Sequence, residues 1–162
     1  MLSKDEKSLE AEWKEYGVLR PLDTQIIPLF EQAVIFSCYD KRYFSHWYRQ
    51  VAEIAGRQQG REVAELFPVI CGGSPLLVSP CSPIHQRYDH RPMMEHSLGL
   101  AQKHGCRHAA ILGHYPCLAG EENSISLIQN AALLVAGKKW LVAKGMKAVL
   151  LFDLKDNEEA PC

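Results

Sequence analysis

The chain has 162 residues, 47% of them hydrophobic and 23% charged, with a formal net charge of −1. That length carries one domain with a real core, and the composition is ordinary for a globular protein. A charge so near zero gives no case for nucleic acid or an anionic membrane as partner, and no apolar run is long enough to span a bilayer. Residues 3–16 read as a polar, charged helix, capped by Ser3 or Ser8. Its sparse apolar positions, Leu9, Trp13 and Tyr16, predict a helix laid on a surface or on a partner subunit, at the head of an arm running to about residue 28. The same stretch lacks the apolar middle of a signal peptide, so a cytoplasmic protein is expected. Pro21 and Pro28 lead into a first strand at 33–37. Residues 41–67 read as helical for much of their length, interrupted near Gly56 and Gly60. LFPVI at 66–70 is a short strand closed by Gly72 and Gly73, and 74–92, with four prolines, reads as a long loop. A helix at 93–105 stops at Gly105, a strand follows at 107–113, and a helix spans 123–145. The last strand is 147–156, and the tail to residue 162 is polar and loose.

Strands and helices alternate, which predicts an α/β fold: one domain over 1–162, with a mostly parallel sheet of about four strands and helices on both faces. The continuous apolar runs AVIF, AAIL and AVLLF fit strands buried on both sides. With strand order 2-1-3-4, strands one and three are neighbours, and sites form at the carboxyl ends of such strands. Strand one ends in AVIFSCYDKR, which presents Cys38, Asp40 and Arg42. Strand three ends in AAILGHYPC, which presents His114 and Cys117. Neighbouring strands lie about 4.8 Å apart, so side chains from both ends can share one ion at about 2.0–2.3 Å. Two thiolates and an imidazole suit zinc and leave one position open. The six cysteines (38, 71, 81, 106, 117 and 162) are expected reduced, serving metal binding or plain burial rather than disulfides.

The pair Cys38-Tyr39-Asp40-Lys41-Arg42 and His114-Tyr115-Pro116-Cys117 resembles the C-x-D-x-R and H-x-x-C motifs of the β-class carbonic anhydrases. FPVICGGS at 67–74 and HSLGLAQKHGCRHAAILGH at 96–114 are similar to that family's second strand and its helix, strand and ligand turn. The likeness covers about residues 30–155. It implies that Cys38, His114 and Cys117 bind Zn²⁺ and that Asp40 and Arg42 form a catalytic dyad. Asp40 would accept a hydrogen bond from the zinc-bound nucleophile in one state and take the fourth zinc position in another. The implied reaction is the reversible hydration of carbon dioxide to bicarbonate by zinc-bound hydroxide. Two thiolates weaken the acidifying effect of zinc on its water, and Arg42 would restore part of it. His85 or His90 in HQRYDHR could carry the proton. The resemblance also implies a homodimer or larger homo-oligomer with its sites near the interface. The rings of Tyr43, Phe44, Trp47 and Tyr48 are too many for the surface of one small domain and predict the same.

The chain departs from the family at Ile70 and Cys71, where Arg and Asn are usual, and at Leu118, where Gly is usual. Those positions border the pocket. They keep two alternatives in view: hydrolysis of a related electrophile, carbonyl sulfide or carbon disulfide, and a non-catalytic zinc protein of the same fold. Plainer readings stand beside the functional ones. A strand-end cysteine is commonly a buried apolar residue, and Asp40–Arg42 could be a structural ion pair. Cys81 and His85 have metal-ligand spacing, but no further ligand pair is evident, and Cys106 and His108 at a strand start read as packing. Gly72-Gly73 reads as a tight turn; in a functional role its backbone would face the pocket.

Overall fold

A computed structural model describes residues 2–20, 32–40, 44–60 and 66–154, without the side chains at 44–47, 58 and 59. The elements run α1 (Lys4–Glu15), β1 (Ala33–Ser37), α2 (Phe44–Gln59), β2 (Leu66–Ile70) and α3 (Ser74–Leu77). A 3₁₀ turn (Pro83–Gln86) follows, then α4 (Arg91–Lys103), β3 (His108–Tyr115), α5 (Leu118–Glu121), α6 (Leu127–Ala143) and β4 (Lys147–Leu154). The four strands form one all-parallel sheet in the order β2-β1-β3-β4, as the alternation predicts.

The two faces of the sheet are read from β1. Val34 and Phe36 join Met94 and Leu98 of α4 and Leu134 and Leu141 of α6 in one cluster. Ala33 and Ile35 face the other way and pack against Val51, Ile54 and Ala55 of α2. Residues 33–36 are all fully buried, which is why the strand reads as a continuous apolar run rather than an alternating one. Gly113 in β3 points to the α6 face. A Cβ there would collide with the Leu134 side chain, so the glycine lets α6 approach β3 one residue before His114.

Several boundaries differ from the sequence reading. Ser3 caps α1 in a reciprocal capping box with Glu6, so Ser8 lies inside the helix. The helix α2 runs through Gly56 to Gln59. β3 continues to Tyr115 because β4 keeps pairing with it at His114↔Asp153 and Tyr115↔Leu154. Residues 74–92 hold two short helical turns, and Leu76, Leu77, Val78 and Ile84 are buried. Proline in the first turn of each supplies a preset φ that starts a helical turn where periodicity is too short to read. α6 begins at Leu127 behind a Ser126–Gln129 capping box, and α5 forms separately before it. Residues 21–28 of the arm, Tyr43 of the aromatic run and the tail 155–162 lie outside the described residues.

α1 lies on its own domain. Trp13, Val18 and Leu19 line a groove of about 360 Å³ with Leu134 of α6 and Leu150 and Phe152 of β4. The Tyr115 hydroxyl donates to Glu6 Oε1 at 2.6 Å. Burial pulls the Glu6 carboxyl up, but the bonds from Tyr115 and Ser3 outweigh it and leave the group below its ordinary value of 4.5. Tyr115 is pushed up to about 12, by burial first and by the Glu6 carboxylate second.

Two measurements check this arrangement. Gly113→Ala should cost about 1–3 kcal/mol in urea unfolding, because a filled core must move to admit a methyl group. A lowered folded pKa at Glu6 adds stability above the unfolded value, which is lost as pH falls through the folded one. Amide exchange across Lys4–Glu15 should therefore quicken relative to its intrinsic rate as pH falls below the ordinary carboxyl value of 4.5, while β1 and β3 stay protected. Glu6→Gln should remove that dependence.

Candidate metal centre

Cys38 is the first residue after β1, His114 is the penultimate residue of β3, and Cys117 is the N-cap of α5. The parallel register Ser37↔Leu112 sets the two carboxyl ends side by side. One ligand atom from each of the three residues lies within 4.8 Å of the other two. A tetrahedral ion with two sulfur ligands at 2.3 Å holds them about 3.8 Å apart, so small side-chain rotations close the set. All three side chains are buried, with 5%, 4% and 3% exposed. Two thiols and an imidazole at these positions could hold a metal ion, and the set is the one expected from the sequence.

The surroundings prepare each donor. His114 Nδ1 stands 3.0 Å from the Pro116 carbonyl oxygen. A carbonyl only accepts, so Nδ1 carries the proton and Nε2 carries the lone pair; metal-binding histidines are oriented in this way. The Gly73 N–H donates to Cys38 Sγ at 3.4 Å. Gly73 has φ 71°, and a Cβ on it would meet the Ala119 Cβ at 2.9 Å. Only glycine fits that turn, so the glycine pair is both the tight turn and a backbone donor to the site. The two thiols share a proton. Cys38 is held well below its ordinary thiol value, chiefly by the hydrogen bond from Cys117 and further by the Gly73 and Asp40 N–H groups. Cys117 is pushed up by the same bond and by burial, and keeps the proton.

Of the three donors, Cys38 lines a cleft of about 770 Å³ between the carboxyl ends of β1 and β2, the 74–92 segment and α5. Cys38, Asp40 and Cys71 line it, with Leu77, Ile84 and Leu118 as an apolar wall and Arg87, His90 and Glu122 as polar groups. Asp40 thus shares the cleft with Cys38. Arg42 lies outside the described residues, so the Asp40–Arg42 pair expected from the sequence is not seen directly. Of the two candidate proton carriers, His90 lines the cleft and His85 does not. His85 has both nitrogens engaged in its own loop: Nε2 donates to the Ser79 carbonyl oxygen at 3.0 Å, and Nδ1 accepts from the His90 N–H at 3.3 Å. Cys81 Sγ sits 3.0 Å from Ser79 Oγ, and Cys81 and His85 belong to no ligand cluster among the described residues. Cys106 is buried packing, as expected. The departures Ile70 and Leu118 are 39% and 56% exposed.

Asn130 is a site residue that sequence reasoning missed. It is fully buried on α6 and donates from Nδ2 to the His114 carbonyl oxygen at 3.5 Å. The signal was available: an asparagine followed at once by the apolar run AALLV of the same helix, where burial without a partner costs about 1–3 kcal/mol.

No protein-family model, no curated protein and no solved structure matches this chain.

The geometry predicts one divalent ion per chain, measurable by elemental analysis of protein purified without chelator. Cys117→Ser should reduce the content to a few per cent of wild type, because two remaining ligands hold an ion poorly. Cys81→Ser should keep it. A Cys117→Ser protein with a full complement of metal would exclude this ligand set.

Proposed function

We propose that the protein is a zinc-dependent carbonic anhydrase that interconverts carbon dioxide and bicarbonate. The observation that carries the reading is the Cys38–His114–Cys117 cluster at the carboxyl ends of neighbouring parallel strands, with its Cys38 lining a cleft beside Asp40. The donor set fits zinc: borderline-soft, tetrahedral, satisfied by thiolate and imidazole, with three protein ligands and an open position. Zinc there supplies a Lewis acid that acidifies water to a usable nucleophile near neutral pH.

The chain's own residues do the rest. The N–H groups of Gly73 and Asp40 point at Cys38 Sγ and stabilise its charge. The Asp40 carboxylate accepts a hydrogen bond from water in the cleft and so fixes the direction of its lone pair. Arg42, two residues on, is the group assigned to hold that carboxylate in place. Leu77, Ile84 and Leu118 offer an apolar wall against which a small, uncharged electrophile rests. Bicarbonate is charged and gains little from that wall, which favours its release. The imidazole of His90, on the cleft wall, takes the proton toward solvent.

A second reading keeps the site and changes the electrophile. The apolar wall, with Leu118 at its mouth, favours carbonyl sulfide or carbon disulfide over a polar substrate. A non-catalytic zinc protein is the third, and the placement of Asp40 in the cleft argues against it.

Stopped-flow hydration of carbon dioxide on zinc-loaded protein separates these readings. Wild type should be active, and Asp40→Asn should retain zinc yet lose about 10²-fold or more in rate, the cost of one oriented group in a preorganised site. Asp40→Asn activity near wild type would make Asp40 structural. Inactive wild type that hydrolyses carbonyl sulfide would favour the second reading.

A further inference from the structure

One thiol in the cleft has no role in the ligand set. Cys71 follows β2 as Cys38 follows β1, and the last paired residues of those strands are Ser37 and Ile70. Continued by one residue, that register sets the two cysteines opposite each other. Their side chains share a face: Val34, Phe36 and Cys38 alternate into one cluster, and Phe67, Val69 and Cys71 pack in that cluster from the neighbouring strand. The chains stay together past the strand ends. The Gly73 N–H reaches Cys38 Sγ at 3.4 Å, and a Cβ at Gly72 would lie 3.2 Å from the Tyr39 hydroxyl. Adjacent strands run about 4.8 Å apart, inside the Cα separation of about 4.4–6.8 Å that a disulfide spans. Both cysteines line the open cleft, so a small oxidant reaches them. The five described cysteines are free thiols.

We propose that Cys38 and Cys71 are a disulfide site: a peroxide oxidises the pair, and the bond withdraws Cys38 from the metal set. Cys38 Sγ attacks one peroxide oxygen. The O–O bond breaks, one water leaves and Cys38 becomes a sulfenic acid. Cys71 Sγ then attacks that sulfur, the S–O bond breaks and a second water leaves. In sum two thiols and one hydrogen peroxide become one disulfide and two waters; the sulfurs lose two electrons and the peroxide gains them. His114 and Cys117 remain, too few to hold the ion. Cys117 Sγ lies within 4.8 Å of Cys38 Sγ and is the competing partner in the metal-free protein. It is also itself a ligand, whereas Cys71 stays available while an ion is in place. The disulfide rests on the strand register alone; metal release rests in addition on the ligand set proposed above.

The test treats zinc-loaded full-length protein with hydrogen peroxide in slight excess. A chromogenic chelator follows zinc, and non-reducing peptide mass spectrometry maps disulfides. Wild type should give a Cys38–Cys71 crosslinked peptide in step with release of its zinc, and a thiol reductant should reverse the crosslink. Cys71→Ser should load zinc and release it about tenfold more slowly or worse, because no resolving thiol removes the sulfenic acid. Cys106→Ser should behave as wild type. A Cys38–Cys117 crosslink, or release from Cys71→Ser at the wild-type rate, would overturn the proposal. Should Cys71→Ser not fold, the wild-type crosslink map decides alone. A protein that takes up no zinc yet forms the Cys38–Cys71 bond would uphold the disulfide and count against the metal reading.

Discussion

The parallel pairing of β1 with β3 is the constraint on which the site depends. Its register, Ala33↔His108 through Ser37↔Leu112, fixes where each strand releases its chain. Cys38 emerges from one end, while β3 continues through His114 and Cys117 then caps the start of α5. A slip of one residue would turn Cys38 to the α2 face, away from both partners. The register resists that slip because both faces of β1 are buried, with different residues matched to α2 on one side and to α4 and α6 on the other. The core thus acts as the jig for the ligands.

Burying two thiols and an imidazole is costly unless each finds a partner. The fold supplies partners one at a time: the Pro116 carbonyl for His114 Nδ1, the Gly73 N–H for Cys38 Sγ, and a proton shared between Cys38 and Cys117. A metal ion that displaces that proton completes an arrangement already oriented for it, and its binding energy adds to folding stability. Two features far apart in sequence serve the same end. Gly113 admits α6 close to β3, and α6 carries Asn130 under the ligand turn. Tyr115, beside His114, ties that turn to Glu6 of α1. The ligand segment is therefore held from both sides.

The sheet order and the meeting of Cys38, His114 and Cys117 were legible in the sequence, for a physical reason. Long apolar runs bounded by glycine and charge report burial on two faces, and the topology rules for parallel strands then place strands one and three together. The segment 74–92 was not legible as structure. Its turns are one proline-led cycle each, too short for a periodic signal, and only the packing of Leu76, Leu77 and Ile84 shows that they belong to the core. His85 looked like a proton carrier by type alone; its two nitrogens turn out to bind its own loop. The extension of β3 through His114 depends on pairing with β4, a tertiary fact that no local pattern encodes.

X-ray absorption at the zinc edge on purified, zinc-loaded protein tests the central claim most directly, because it reads the donor atoms themselves. The account predicts two sulfur ligands at about 2.3 Å and one imidazole nitrogen at about 2.0–2.1 Å, with one light atom completing the shell. A shell of oxygen and nitrogen alone, without sulfur, would contradict it.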